Sequence, residues 1–334
     1  MNRPTIPTSW RHRLVLLLIC IAAFSLRFDG INWPAFHPDE ATIGRWVHIA
    51  ADGRAIKEKF YANGFFVLVK PAIWISKYKN AITNHLAYRR GLHENIRQSG
   101  LDTVMVARWF NVWAGTLGCL LTFLLIRCIT GSPWSGVFGA ALIGLAQYHV
   151  EHCHYAETDL AMLLALTAAL WLMAVAADRR QIWRYVLAAG MAGFATGTKF
   201  TLSMLLPLII LLGLTLDARP LSLKKCWYVF GLLVCGLIGF AAGFLLAMPQ
   251  ALDWGWFTAG LAYEKARVFG ETRTNFGPLR DNTQLRYLLH LRQLFAGLQT
   301  LGWGWLVLAA AGVPCAILLR VYRQIGRASC RERV

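Results

Sequence analysis

Two adjacent carboxylates, Asp39 and Glu40, follow the first apolar run of the chain, in the stretch NWPAFHPDEATIGRW (residues 32–46). A carboxylate held in a fixed position can act as a general base that removes a proton from a hydroxyl group. These two residues are therefore the first candidates for catalysis. A structural interpretation stays open, because Asp39 follows Pro38 and precedes a helical pattern. There Asp39 could cap the helix, and Glu40 could favour the helix dipole.

A second group of polar residues lies in the stretch EHCHYAETD (residues 151–159), directly before another apolar run. His152 and His154, with carboxylates nearby, could bind a metal, or they could be interfacial histidines that make ordinary hydrogen bonds. Asp159 could cap the helix that follows. Lys199 stands between two further apolar runs, where it marks a hairpin and could extend toward water from a helix end.

The composition indicates a membrane protein. Of the 334 residues, 57% are hydrophobic and 15% are charged, against about 25% charged in typical soluble domains, and the mean hydropathy is +0.45. The formal charge of +17 does not indicate nucleic-acid binding, because the basic residues form no single patch with interleaved aromatics. Many of them bracket apolar runs, and fourteen tryptophans suit a protein with two membrane interfaces.

The apolar runs predict an all-α polytopic membrane protein, a helical bundle with about eight transmembrane helices. A spanning helix needs ~20 mostly apolar residues, and shorter ones are tolerated inside a bundle. The first run follows Arg11 and Arg13 and lacks a small-residue cleavage site, so it is interpreted as an uncleaved helix. The eight runs cover residues 12–28, 104–126, 134–149, 159–177, 184–198, 200–216, 227–248 and 299–319.

The short loops give the orientation, because cytoplasmic loops carry an excess of Lys and Arg. With the N-terminus in the cytoplasm, the basic loops fall on that side, whereas the short outer loops, including 149–158, together hold one basic residue. Two long segments, 27–103 and 249–298, then lie outside. On this topology the acidic pair, the histidines, Asp159 and Lys199 all fall on the outer face.

Two stretches of the first outer segment predict helices that lie in the membrane interface. The stretch NGFFVLVKPAIWISKY (residues 63–78) is apolar but short and is interrupted by Lys70-Pro71. The other stretch has apolar residues at the i, i+3, i+4 and i+7 spacing of one helix face, namely Ile43, Trp46, Val47 and Ala50.

The last ten residues, IGRASCRERV (325–334), resemble translated sequencing-adapter DNA. We therefore expect the membrane domain to occupy residues 1–324 and to be truncated at its C-terminal end, and the alternative is a genuine basic cytoplasmic tail.

Four elements, in the same order along the chain, resemble the C-type (GT-C) glycosyltransferases, in particular their protein O-mannosyltransferase-like branch, which includes bacterial enzymes. The first is the Asp39-Glu40 pair after the first helix. The others are the helix block RWFNVWAGTLGCLLTFLLIRCITGSPWSGVFGAALIGLAQYHVEHCHYAETDLAMLL (108–164), the Gly-rich stretch AAGMAGFATGTKFT (188–201) and the loop AMPQALDWGWFTAGLAYEKARVFG (247–270). The likeness extends over residues 13–322.

The resemblance implies transfer of a sugar from a polyprenyl-phosphate carrier to a hydroxyl acceptor in a protein, lipid or envelope glycan, on the extracytoplasmic face. By this likeness Asp39 is the general base, and Glu40 orients it or binds the acceptor. A single displacement inverts the anomeric centre and needs no carboxylate nucleophile. The departing phosphate requires a cation, which is Lys199, an arginine or a metal. Asp159 and His154 are candidates for holding the donor.

Two further assignments depend on the resemblance. Lys70 is a candidate for donor binding, although its stretch VLVKPAIW (67–74) has one proline where related sequences often carry Lys-Pro-Pro or Pro-Pro-Leu. The resemblance fixes no cofactor. A divalent metal is a further option, with candidate ligands Asp39, His152, His154 and Asp159.

Two other classes of function remain as alternatives. A transporter or flippase for a lipid-linked sugar would use a similar groove without chemistry, and would place polar residues at mid-membrane in broken helices. The acids of this chain instead lie at one interface, which favours the enzyme. The third class is a non-catalytic assembly factor. The branch resembled indicates a bacterial inner membrane.

Overall fold

The computed structural model describes residues 8–31, 40, 43, 46, 49, 64–75, 99–179, 181–215 and 223–268, and these contain helices and no strand. Met1–Lys265 form one compact unit, and Ala266–Val334 form a second, in which the description covers only the end of the last helix. Two short 3-10 helices, Phe200–Met204 and Pro249–Leu252, accompany the α-helices. These are α1 (Trp10–Phe28), α2 (Gly64–Ile75), α3 (Ser99–Thr130), α4 (Pro133–Leu145), α5 (Gln147–His152), α6 (Asp159–Arg179), α7 (Ile182–Thr198), α8 (Leu205–Thr215), α9 (Leu223–Ala247) and α10 (Trp254–Val268).

The helices confirm the all-α polytopic membrane architecture. Five of the seven apolar runs expected between residues 12 and 248 each coincide with a single α-helix. The runs at 134–149 and 200–216 are each divided between two helices, and the run at 299–319 lies outside the described residues. Three helices in the described part are long and apolar enough to cross a membrane, namely Val104–Thr130, Asp159–Arg179 and Cys226–Ala247. The total of about eight spans stays a prediction.

Helix α4 ends earlier than the run expected at 134–149, because an arginine from another helix caps it. Ala146 has extended backbone (φ −64°, ψ 112°). The fully buried Arg27, in the last turn of α1, donates to the carbonyl oxygens of Ile143 (3.0 Å) and Gly144 (2.8 Å). Carbonyls in the last turn of a helix lack intrahelical partners. Arg27 supplies these partners, and the chain turns into α5.

The expected break at Lys199 is confirmed. Lys199 has extended backbone (φ −154°, ψ 120°) after the end of α7. The run expected from residue 200 begins with the 3-10 helix Phe200–Met204, and α8 has only 11 residues. At ~1.5 Å per residue, α8 alone extends over roughly half of a ~30 Å hydrocarbon core.

Glycines bring the backbones of α7 and α9 into direct contact. A Cβ atom added at Gly193 would overlap the carbonyl group of Phe240, and one added at Gly243 would overlap the carbonyl group of Gly190. Close approach through small residues is a common way for membrane helices to pack. This contact fixes α7, and therefore the position of Lys199 at its end.

Helix α2 covers one end of the bundle with an apolar face. Its buried residues Phe65, Phe66, Val69 and Ile73 belong to one cluster with Ile43 and Trp46. Ile43 and Trp46 have helical backbone and are buried, as the spacing predicts, whereas Val47 and Ala50 lie outside the described residues. The helix predicted within residues 63–78 is confirmed, and its backbone stays helical through Lys70-Pro71. Its placement in the membrane interface stays a prediction.

Candidate functional site

Glu40 lies in a buried ion pair with Arg108, while its neighbour Asp39 lies outside the described residues. The side chain of Glu40 is 0% exposed. Arg108 donates from Nε to Oε1 of Glu40 (2.8 Å) and from Nη2 to Oε2 (2.7 Å). Pairing at two points fixes the geometry of both groups. Glu40 is therefore held rigidly, and it anchors the backbone directly next to Asp39.

Arg108 is the residue that sequence reasoning missed. It is 3% exposed, and its Nη1 also donates to the carbonyl oxygen of Ile31 (2.8 Å), just after α1. Arg108 therefore connects the chain after α1, Glu40 and helix α3. Arg108 lies inside the apolar run 104–126, and a charge at that position was the sequence feature that could have indicated a functional or structural role. A charged residue within a membrane run is costly and needs a partner.

The segment between α5 and α6 is held by side chains on two sides. The backbone N–H of Ala156 donates to Oε1 of Glu40 (2.7 Å). From α3, Nδ2 of Asn111 donates to the carbonyl oxygens of Tyr155 (2.6 Å) and Glu157 (2.8 Å). Both polar groups of the peptide between Tyr155 and Ala156 are thus bonded to buried side chains. Sequence reasoning missed Asn111 as well.

The two candidate histidines have different surroundings. Nδ1 of His152 lies 2.8 Å from Oε2 of the buried Glu157. Nε2 of His154 is buried and has no hydrogen-bond partner in the part of the chain that the structure describes. Among the described residues, no group of three or more His, Cys, Asp or Glu side chains is placed to hold a metal. Asp39 lies outside these residues, so the metal site stays a prediction.

Asp159 and Lys199, which the sequence assigns to the same face, meet in an ion pair. Asp159 lies in the first turn of α6, where the helix dipole favours a negative charge, and Lys199 follows the last residue of α7. Their side chains are 40% and 39% exposed. This pair remains accessible to a ligand, in contrast to the buried pair of Glu40 and Arg108.

Lys70 lies apart from these contacts. It is exposed on α2, next to the buried Val69, and forms no ion pair with another described residue. Helix α2 nevertheless approaches the end of α7, since a Cβ atom added at Gly64 would overlap Thr198. The role of Lys70 in donor binding stays a prediction.

Arg27 also shapes the titration of its neighbours at the α4–α5 junction. Its Nη2 lies 2.8 Å from Nδ1 of His149. Burial, together with the positive charges of Arg27 and His152, lowers the pKa of His149 to about 4. Burial raises the pKa of the Cys153 thiol to about 11. At neutral pH His149 is therefore an uncharged acceptor for Arg27, and Cys153 is an unreactive thiol.

Comparison with known proteins agrees with the resemblance. Residues 100–245 match the family model of the dolichyl-phosphate-mannose-protein mannosyltransferases. The match covers less than half of the chain and includes Arg108, Asn111, Asp159 and Lys199 but not the acidic pair. No curated protein matches the chain. The family match supports a membrane glycosyltransferase of the C type.

Proposed function

We propose that this chain transfers a sugar from a polyprenyl-phosphate donor to a hydroxyl group of a protein, lipid or envelope glycan. The observation that carries the proposal is the anchoring of Glu40. Arg108 and the amide of Ala156 fix it at the end of the bundle that also holds the partly exposed pair of Asp159 and Lys199. The family match at residues 100–245 supports this class of reaction.

Asp39 is proposed as the general base. The acceptor oxygen forms a bond to the anomeric carbon while the bond from that carbon to the phosphate oxygen breaks. The hydroxyl proton passes to the carboxylate of Asp39, and the bonding electrons leave with the phosphate, so the anomeric centre is inverted. Glu40 is proposed as a positioning residue, because its own carboxylate is already engaged by Arg108.

Lys199 is proposed to stabilise the negative charge of the departing phosphate. An ammonium group close to developing charge lowers the barrier most when it is held in place before the reaction. Asp159 provides that restraint through the ion pair. His154 and Lys70 are additional candidates for contacts with the donor. If a divalent metal takes part, the candidates to hold it are Asp39, His152, His154 and Asp159.

The proposed location is a bacterial inner membrane, with the N-terminus in the cytoplasm and the site on the extracytoplasmic side. This orientation rests on the distribution of basic residues between the short loops. The partners are then the polyprenyl-linked sugar, the hydroxyl acceptor and the bilayer.

The test compares the wild-type full-length protein with Asp39→Asn in vesicles that contain polyprenyl-phosphate-linked sugars and acceptor extract. The readout is release of polyprenyl phosphate coupled to a glycosylated product. We expect turnover by the wild type and a loss of at least about 100-fold in Asp39→Asn, because general-base catalysis contributes roughly 10²–10⁴-fold. A matched control is Asp178→Asn, which changes an acid next to Arg179 at the other end of α6.

Two outcomes would overturn the proposal. Unchanged turnover in Asp39→Asn would remove Asp39 as the base and return it to a helix cap. Movement of the lipid-linked sugar across the bilayer, without turnover of any donor, would show a transporter.

A further inference from the structure

We propose that Asn111 is a positioning residue that holds the two halves of the site in register. One half is the acidic pair Asp39-Glu40, and the other is the pair of Asp159 and Lys199. This inference rests on the proposed function, because that function requires the two halves to keep a fixed relative position around the reacting sugar. No contact of Asn111 with a substrate is invoked, and its action is through the segment 153–158.

The connection passes through one peptide unit. The peptide between Tyr155 and Ala156 offers its oxygen to Nδ2 of Asn111 (2.6 Å) and its N–H to Oε1 of Glu40 (2.7 Å). Glu40 and Asn111 therefore bind the two ends of the same rigid group. A displacement of either side chain is transmitted to the other through this peptide.

The second hydrogen bond of Asn111 restrains the backbone just before α6. Its Nδ2 also donates to the carbonyl oxygen of Glu157 (2.8 Å), two residues before Asp159. Asp159 begins α6 and pairs with Lys199. The position of the Asp159 carboxylate thus depends on where Asn111 holds the backbone that precedes it.

The orientation of the Asn111 amide is determined by its donors. The residue is 0% exposed, and no described residue forms a hydrogen bond with its Oδ1. An amide with exchanged oxygen and nitrogen would turn its oxygen toward two carbonyl oxygens, which is unfavourable. The site therefore requires a hydrogen-bond donor at the position of Nδ2. A side chain of the same size that lacks this donor can test the requirement.

Asn111→Asp replaces that donor with an oxygen at nearly constant volume. The matched control is Thr122→Val on the same helix, which removes a side-chain hydrogen bond to the carbonyl oxygen of Gly118, within α3 itself. Both variants are prepared as full-length protein in detergent and in vesicles. Hydrogen exchange of the peptide containing residues 153–158 reports anchoring, and steady-state kinetics separate kcat from KM.

We expect exchange of residues 153–158 to accelerate at least about tenfold in Asn111→Asp and not in Thr122→Val, since the segment loses buried hydrogen bonds. We expect kcat to fall about 10- to 100-fold with KM for the donor within about threefold, as misplacement of reacting groups lowers kcat. If Asn111→Asp does not fold, Asn111→Ala gives the same measurements, because it removes the donor without adding charge.

Unchanged exchange of residues 153–158, or faster exchange with kcat within about twofold of wild type, would overturn the inference. A wild-type protein without transferase turnover would instead refute the proposed function, and the exchange result would then reject or retain only the anchoring by Asn111.

Discussion

At the scale of single residues, the buried network determines the surroundings of Glu40. Glu40 is fully buried, and its carboxylate oxygens receive hydrogen bonds from Arg108 and from the amide of Ala156. Both carboxylate oxygens of Glu40 are therefore already occupied by hydrogen-bond donors of the protein. The adjacent Asp39 is therefore the better candidate for the base. The resemblance allows two roles for Glu40, orientation of Asp39 or binding of the acceptor, and its engaged carboxylate favours the first.

The pair of Arg27 and His149 predicts a dependence of stability on pH. The pKa of His149 is lowered from 6.5 to about 4, first by burial and then by the charge of Arg27. The folded state therefore binds fewer protons than the unfolded state between these values. Stability that is present above about pH 6.5 is lost as the pH falls toward 4.

His149→Asn tests this dependence, since the Asn side chain can accept from Arg27 but does not titrate. We expect the midpoint of thermal unfolding in detergent to fall less between pH 6.5 and pH 4.5 for His149→Asn than for the wild type. Other titrating groups act equally on both proteins. Equal slopes for the two proteins would show that His149 is not the group responsible.

At the scale of elements, the helices could be predicted from the sequence and their breaks only in part. Hydropathy is a local property, so each described run is helical over most of its length. The break at Lys199 was visible as a charge between apolar runs. The break at Ala146 depends on Arg27, more than a hundred residues away in sequence. Likewise, neither Asn111 nor Arg108 has a sequence neighbour that indicates its partner.

The close contact between α7 and α9 predicts that adding a single methyl group at a contact glycine lowers the stability of the fold. In Gly243→Ala the new Cβ atom would overlap the carbonyl group of Gly190, so the two backbones must separate. Overpacking of this kind costs typically about 1–3 kcal/mol. We expect a lower thermal midpoint for Gly243→Ala in detergent.

Gly231→Ala is the matched control for that change, because Gly231 lies on the same helix and a Cβ atom there has no described neighbour within 4 Å. Its thermal midpoint is expected to equal or exceed that of the wild type, since Ala is the better helix former. An equal decrease of the thermal midpoint in both variants would show that the effect comes from α9 itself and not from its contact with α7.

At the scale of the whole molecule, the candidate site and the basic residues of the turn between α6 and α7 lie at opposite ends of these two helices. Glu40, Asp159 and Lys199 share the end at which α6 begins and α7 finishes. The opposite end, where α6 finishes and α7 begins, carries Arg179 and Arg184. Because basic residues stay in the cytoplasm, this polarity predicts that the candidate site faces the exterior.

Single cysteines at the two ends can test this orientation in intact cells. Glu151 and Gln181 are both exposed and lie at opposite ends of the bundle, in α5 and in the turn between α6 and α7. In a background without other cysteines, a membrane-impermeant maleimide should label Glu151→Cys directly and Gln181→Cys only after the membrane is permeabilised. The reverse labelling would place Asp159 and Lys199 in the cytoplasm. A transferase at that face would have to use donors on the cytoplasmic leaflet, so the orientation also determines where the donor must be supplied in the turnover assay.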